Sequence, residues 1–195
     1  MTDLDARERI LEASRAEIAA SGVRGLRIQR VAKRAGVSLG LIYYHFDDRA
    51  GLLHETLEAV NRAVQERTPA PDPALPPEQV VADLLAAEFG DGNGIRDDSV
   101  VWNEIRAIAV FETELRPALA DATQDWQARF AGPLAALGVP ESAIADTSTL
   151  LTALVEGLSS RWLSGQLDTE TAQRLMRAGT AAVLAEVTRA SSVAR

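Results

Sequence analysis

Apolar residues recur every three or four positions through most of the chain, which is the period of an amphipathic helix. Residues 5–21 place Ile10, Ala13 or Ser14, and Ile18 on one side, and Gly22 is a plausible stop. A short helix is predicted over 28–35, closed by Gly36, and another over 38–46. Gly36 stands where a tight turn between two helices needs a residue tolerant of positive φ. Residues 49–67 carry Leu52, Leu53, Thr56, Leu57, Val60 and Val64 along one side. The stretch 68–77 holds five of the eight prolines, so it reads as a loop and the best domain boundary.

Beyond it the pattern predicts an antiparallel helical bundle. Helices are expected over 78–89, 99–113, 115–137, 141–164 and 169–189, with a polar, glycine-rich loop at 90–98. The 99–113 segment is apolar almost all round, which suggests a central, buried helix. Pro133 predicts a kink or break near 131–132, and Asp168 is a good N-cap for the last helix. No run alternates with period two long enough for a strand. The expected class is all-α.

Composition agrees with that class. The chain has 195 residues, 47% of them hydrophobic but only 5% aromatic, because Ala and Leu dominate. There is no cysteine, which excludes disulfides, thiolate nucleophiles and Cys-ligated metals. The two histidines, His45 and His54, lack a usual zinc spacing. No metal and no cofactor is expected. No nucleophile–base pair or glycine-rich phosphate loop is present, so an enzyme is not expected. The absence of a transmembrane run and of an apolar leader makes the cytoplasm the expected location, without a membrane partner.

The net charge of −8 argues against nucleic acid until it is split by position. Residues 1–49 carry Arg7, Arg9, Arg15, Arg24, Arg27, Arg30, Lys33, Arg34 and Arg49 against Asp3, Asp5, Glu8, Glu12, Glu17, Asp47 and Asp48, a local +2. The remainder stands at −10. Phosphate neutralisation needs a local cationic face rather than a basic protein.

The same segment carries a motif. It reads RILEAS from Arg9, then Gly22, VAKRAGVS over 31–38, GLIYYHF over 40–46 and RAGLL over 49–53. Residues 7–53 thereby resemble the N-terminal domain of TetR-family regulators. The resemblance implies a three-helix, helix-turn-helix DNA-binding domain over 1–48. A C-terminal antiparallel helical bundle for ligand binding and dimerisation, 49–195, follows it. Val31, Ala32, Ala35, Val37, Ile42 and Phe46 form the apolar set that would seat the two short helices on the first. In such a fold the second short helix enters the major groove. Ser38, Leu39, Gly40, Tyr43, Tyr44 and His45 are then the outward candidates, with Gln29 beside them. Positions matching Tyr43, Tyr44 and His45 commonly touch the operator in the family. Arg49 stands where the family usually has Lys, for phosphate contact and for fixing its own helix. Arg27 replaces the usual Ser or Thr; it cannot cap the helix but can reach a phosphate. Leu39 replaces a polar residue and can contact a thymine methyl. Lys33 and Arg34 fit either a solvated face or phosphate contacts.

Residues 150–172 resemble the last helices of the BetI-like branch, which implies a homodimer. Its interface candidates are Leu150, Leu154, Gly157, Leu158, Arg161, Leu175 and Ala178. Two copies reading a palindromic operator raise specificity. A pocket for an unidentified small-molecule effector is expected among the middle helices, at Trp102, Arg106, Trp126, Phe130 and Glu156. Trp126 and Phe130 equally fit a plain core stripe. The function expected is a dimeric one-component transcriptional regulator, a repressor released from double-stranded DNA by its effector. The alternative is a binding or adaptor module whose reader has lost DNA function.

Overall fold

The computed structural model describes residues 3–68, 72, 74–92 and 94–193. Four positions of the expected 68–77 loop, residues 69–71 and 73, lie outside the described residues. Among the described residues the structure is helical throughout: α1 (Asp3–Gly25), α2 (Ile28–Ala35), α3 (Leu39–Phe46), α4 (Arg49–Arg67), α5 (Pro77–Ala86) and α6 (Ile95–Ala109) are followed by a 3-10 turn (Thr113–Leu115), α7 (Arg116–Ala136), α8 (Glu141–Leu163) and α9 (Thr169–Val193). No described helix is long and apolar enough to cross a membrane.

The chain divides into two compact units, residues 1–67 with 97–123, and residues 68–96 with 124–195. In the first unit α1 packs on α2, α3 and α4, and α4 packs on the 3-10 turn. Ile10, Ile18, Val23, Val31, Ile42, Leu52, Leu53, Leu57 and Ile105 are buried together in its core. Burying each such side chain stabilises the unit by about 1.5–3 kcal/mol. In the second unit α9 packs on both α5 and α8. Phe89 meets Trp162 edge-on with ring centroids 5.8 Å apart.

Local chemistry explains most boundaries. Gly22 adopts φ 69°, ψ 168°, so the regular helix breaks where a stop was expected, although helical turns resume to Gly25. Gly36 closes α2 in the left-handed region, and Val37 N–H then donates to the Ala32 carbonyl at 3.0 Å. Asp168 caps α9 by accepting the Thr171 amide at 2.7 Å. That bond holds its carboxyl below the usual carboxylate range.

Two expectations are corrected. α6 starts at Ile95 rather than 99, with Asp97 and Asp98 in its first turn, where the helix dipole favours carboxylates. It ends at Ala109, and Arg116 donates to the Ala109 and Val110 carbonyls left open there. Val110 and Phe111 therefore lie beyond the helix and are 62% and 74% exposed, rather than part of a buried helix. α7 continues through Pro133 to Ala136 without the expected break. A proline in a helix removes one amide donor, and the rest of the helix holds.

Candidate nucleic-acid interface

α2, Gly36 and α3 form the helix-turn-helix. Val31, Ala32, Ala35, Ile42 and Phe46 are buried and Val37 is half-buried, so the apolar set seats both helices as the sequence requires. Ser38 is the N-cap of α3, its hydroxyl accepting the Leu41 amide at 3.2 Å. With Ile42 and Phe46 inward, the outer face of α3 carries Ser38, Leu39, Gly40, Tyr43 and Tyr44, all exposed. Tyr44 is 73% exposed, which puts its hydroxyl and most of its ring in solvent. A Cβ added at Gly40 would meet nothing nearer than the Ser38 hydroxyl at 4.0 Å, so this stretch of backbone is open to close approach.

The other candidates are placed differently. Gln29 is exposed on α2. Arg27 precedes α2 without capping it. Its guanidinium turns back to donate to the Arg24 and Leu26 carbonyls at 3.0 and 3.2 Å. His45 is half-buried, with ring centroids 5.3 Å from Tyr44 and 5.8 Å from Phe46. Arg49 is held within its own unit, donating to Glu112 at 2.9 Å and to the Val23 carbonyl at 3.0 Å. Those bonds anchor the start of α4.

Gly51 fixes the α3–α4 corner. A Cβ there would lie 2.3 Å from the Phe46 carbonyl oxygen, which closes α3. The backbone cannot yield as a flexible side chain would. Gly51→Ala is expected to cost about 1–3 kcal/mol of stability and to displace α3. A thermal melt and a DNA-binding titration check this; an unchanged melt and unchanged affinity would show that the corner relaxes freely.

Charged residues absent from the sequence-based candidates tie this unit together. Glu17, on α1, accepts a hydrogen bond from Arg34 Nη1 at 3.1 Å and forms an ion pair with Arg30, whose Nε lies 2.9 Å from its other oxygen. Asp98 is buried and bonds both Arg15 and Arg67. Burial opposes the charge on Arg15, but the bond to Asp98 and the neighbouring carboxylates Glu12 and Asp97 hold its pKa above the ordinary value. Glu104 accepts the Val23 amide at 2.9 Å, beside the Gly22 break. No local spacing signals these pairs, because their partners lie 13 to 83 residues apart in sequence.

The effector candidates fall in both units. In the first, Arg106 lies over the Trp102 ring at 5.7 Å, and both are half-buried. In the second, Trp126 and Phe130 are buried edge-to-face at 4.7 Å, and the Trp126 indole donates to Glu88 at 3.2 Å. Glu156 is half-buried on α8. An open, charged groove of about 450 Å³ between α1 and α4 is lined by none of the five. Among the described residues no cluster of His, Asp and Glu could hold a metal ion.

On α8 and α9, Leu150 and Leu175 are 56% and 37% exposed, and Gly157, Arg161 and Ala178 are exposed. Leu154 and Leu158 are half-buried, with Leu154 packed close to Gly179 of α9.

Comparison with known proteins agrees with this arrangement. The family of bacterial regulatory proteins, tetR family, matches residues 10–56. The C-terminal family of BetI-type transcriptional repressors matches residues 76–185, more than half of the chain. An HTH-type transcriptional regulator BetI from Paraburkholderia xenovorans is 27% identical over 170 residues, 84% of this chain and 83% of that protein. A solved chain from Rhodococcus sp., assigned to the TetR family, superposes with a TM-score of 0.79 at 36% identity, over 93% of this chain and 99% of that one. The multidrug binding protein EbrR, complexed with imidazole, superposes with a TM-score of 0.63 at 26% identity, over 89% and 88% of the two chains.

Proposed function

We propose that this chain, which belongs to the tetR family of bacterial regulatory proteins with a BetI-type C-terminal domain, is a dimeric repressor that binds a palindromic operator and is released by a small-molecule effector. The observation that carries this is the outer face of α3, where Leu39, Gly40, Tyr43 and Tyr44 stand in solvent on a helix-turn-helix frame. Nothing in the folding of α3 requires two tyrosines there. Their hydroxyls and flat rings suit a helix surface that meets base edges and phosphates.

In this reading residues 1–48 are the reader, and 49–195 carry effector binding and dimerisation. Ser38, Leu39, Gly40, Tyr43 and Tyr44 face the major groove, and Arg27 and Gln29 lie beside it. His45 and Arg49 serve the reader from within, by backing Tyr44 and anchoring α4. The effector is a small molecule, recognised by Trp102 with Arg106 in the first unit or by Trp126, Phe130 and Glu156 in the second. The support for this is the pairing of rings with charged groups in each unit, together with the small-molecule complex of EbrR. A regulator that acts on chromosomal DNA works in the cytoplasm.

Binding to its own upstream region, and to duplexes enriched from a random pool, tests the reading. Specific, salt-sensitive binding is expected. Failure to select any sequence would favour a module without DNA function.

The dimer is tested separately. Leu150, Gly157, Leu158, Arg161, Leu175 and Ala178 on α8 and α9 face the second copy, with Leu154 bracing the two helices. Leu150→Arg places an unpaired charge in that face. It is expected to shift the protein to a monomer by analytical ultracentrifugation and to lower operator affinity. A variant as dimeric as the wild type would remove Leu150 from the interface.

A further inference from the structure

We infer that Glu17 is a specificity-determining residue of the reader: it holds Arg30 and Arg34 in ion pairs and so limits sequence-independent attraction of α2 to phosphate. The inference rests on the DNA-binding reading above.

Glu17 lies on α1, and its side chain is only 7% exposed. A carboxylate that deeply buried needs cationic partners. It has two, Arg30 Nε on one oxygen and Arg34 Nη1 on the other. The arginine side chains themselves are 57% and 52% exposed, so they hydrate well and do not need Glu17 for their own solvation. The dependence is one-sided: the buried carboxylate requires the arginines.

The outer face of α2 carries Gln29, Arg30, Lys33 and Arg34, all exposed, while Val31, Ala32 and Ala35 face the core. The first helix of a helix-turn-helix crosses the DNA backbone. Its cations therefore set the non-specific part of affinity. Arg30 and Arg34 share the charge of Glu17, whereas Lys33 makes no ion pair among the described residues. The reader segment 1–49 is only +2, so one carboxylate is a large fraction of its field. Holding that field low leaves discrimination to α3, whose contacts depend on sequence.

The experiment uses the whole 195-residue chain, its best enriched duplex and a random-sequence duplex, titrated from about 50 to about 300 mM salt. Glu17→Gln is expected to raise affinity for the random duplex about 3- to 10-fold at low salt and to steepen its salt dependence by up to about one unit. The enriched duplex gains less, so the specificity ratio falls. Equal random-duplex affinity and salt slope in Glu17→Gln and wild type would overturn the inference. A second comparison leaves Glu17 in place. Arg34→Gln is expected to reduce the salt slope less than Lys33→Gln does, and equal reductions would overturn the inference even where Glu17→Gln fails to fold. A wild-type protein that binds neither duplex overturns the DNA-binding reading itself, and this inference with it.

Discussion

Tyr44→Ala is expected to weaken binding to the cognate duplex by about 10- to 100-fold, the worth of one hydrogen bond to a charged group. The thermal midpoint should stay within about 2 °C, because surface substitutions usually cost under about 0.5 kcal/mol. Tyr44 is 73% exposed and its ring meets His45 at a steep angle, so little folding energy depends on it. Tyr44→Phe separates the two parts of the side chain. If the hydroxyl meets a phosphate, the Phe variant shares most of the loss; if the ring fills the groove, the Phe variant binds nearly as wild type. A Tyr44→Ala protein that binds with unchanged affinity would take this residue out of the interface, and a lowered melt would show that it acts through the fold.

The second large effect concerns stability. Asp98 is 2% exposed and bonds two arginines, Arg15 of α1 and Arg67 at the end of α4, whose side chains are 18% and 23% exposed. Asp98→Asn keeps the volume but removes the buried charge that Arg15 and Arg67 share, leaving Arg15 its more exposed pair with Glu12. Breaking such a pair costs about 3–5 kcal/mol when both partners are fully buried. Partial exposure of the arginines puts the expectation at the lower end, about 3 kcal/mol, or roughly 6–12 °C in a chain of this size. Differential scanning calorimetry measures it. A shift under about 2 °C would mean that water replaces the carboxylate, and that the three helices do not depend on it for their register.

The contrast between these two residues shows how far the chain can be read before it is folded. Tyr44 stood out because a motif and a helical period put it opposite Ile42 and Phe46, both of which are buried. α2 and α4 fall over the residues that periodicity predicted, and the glycine required between the short helices adopts the left-handed backbone. Asp98 sat in a stretch that looked like a polar loop, because Gly, Asn and Asp crowd it. Only the fold shows its carboxylate inside, bonded to residues 83 and 31 positions away. The motif offers His45 to DNA, and Arg49 both to phosphate and to the fixing of its own helix. The fold leaves the histidine half-buried, tilted against Phe46, and draws the guanidinium to Glu112 and the Val23 carbonyl.

Sequence by itself determined the helices, the turn at Gly36, the apolar set beneath the reader and the resemblance that identifies it. Each depends on spacing within a few residues, and backbone geometry converts that spacing directly into a face or a turn. Tertiary structure decided which charges remain available. Arg27, Arg30 and Arg34 of the reader and Arg49 just after it are all basic, yet each is held within its own unit, by carbonyls or by Glu17 and Glu112. Whether a guanidinium meets a carboxylate or solvent depends on where distant helices pass, and no local period encodes that path.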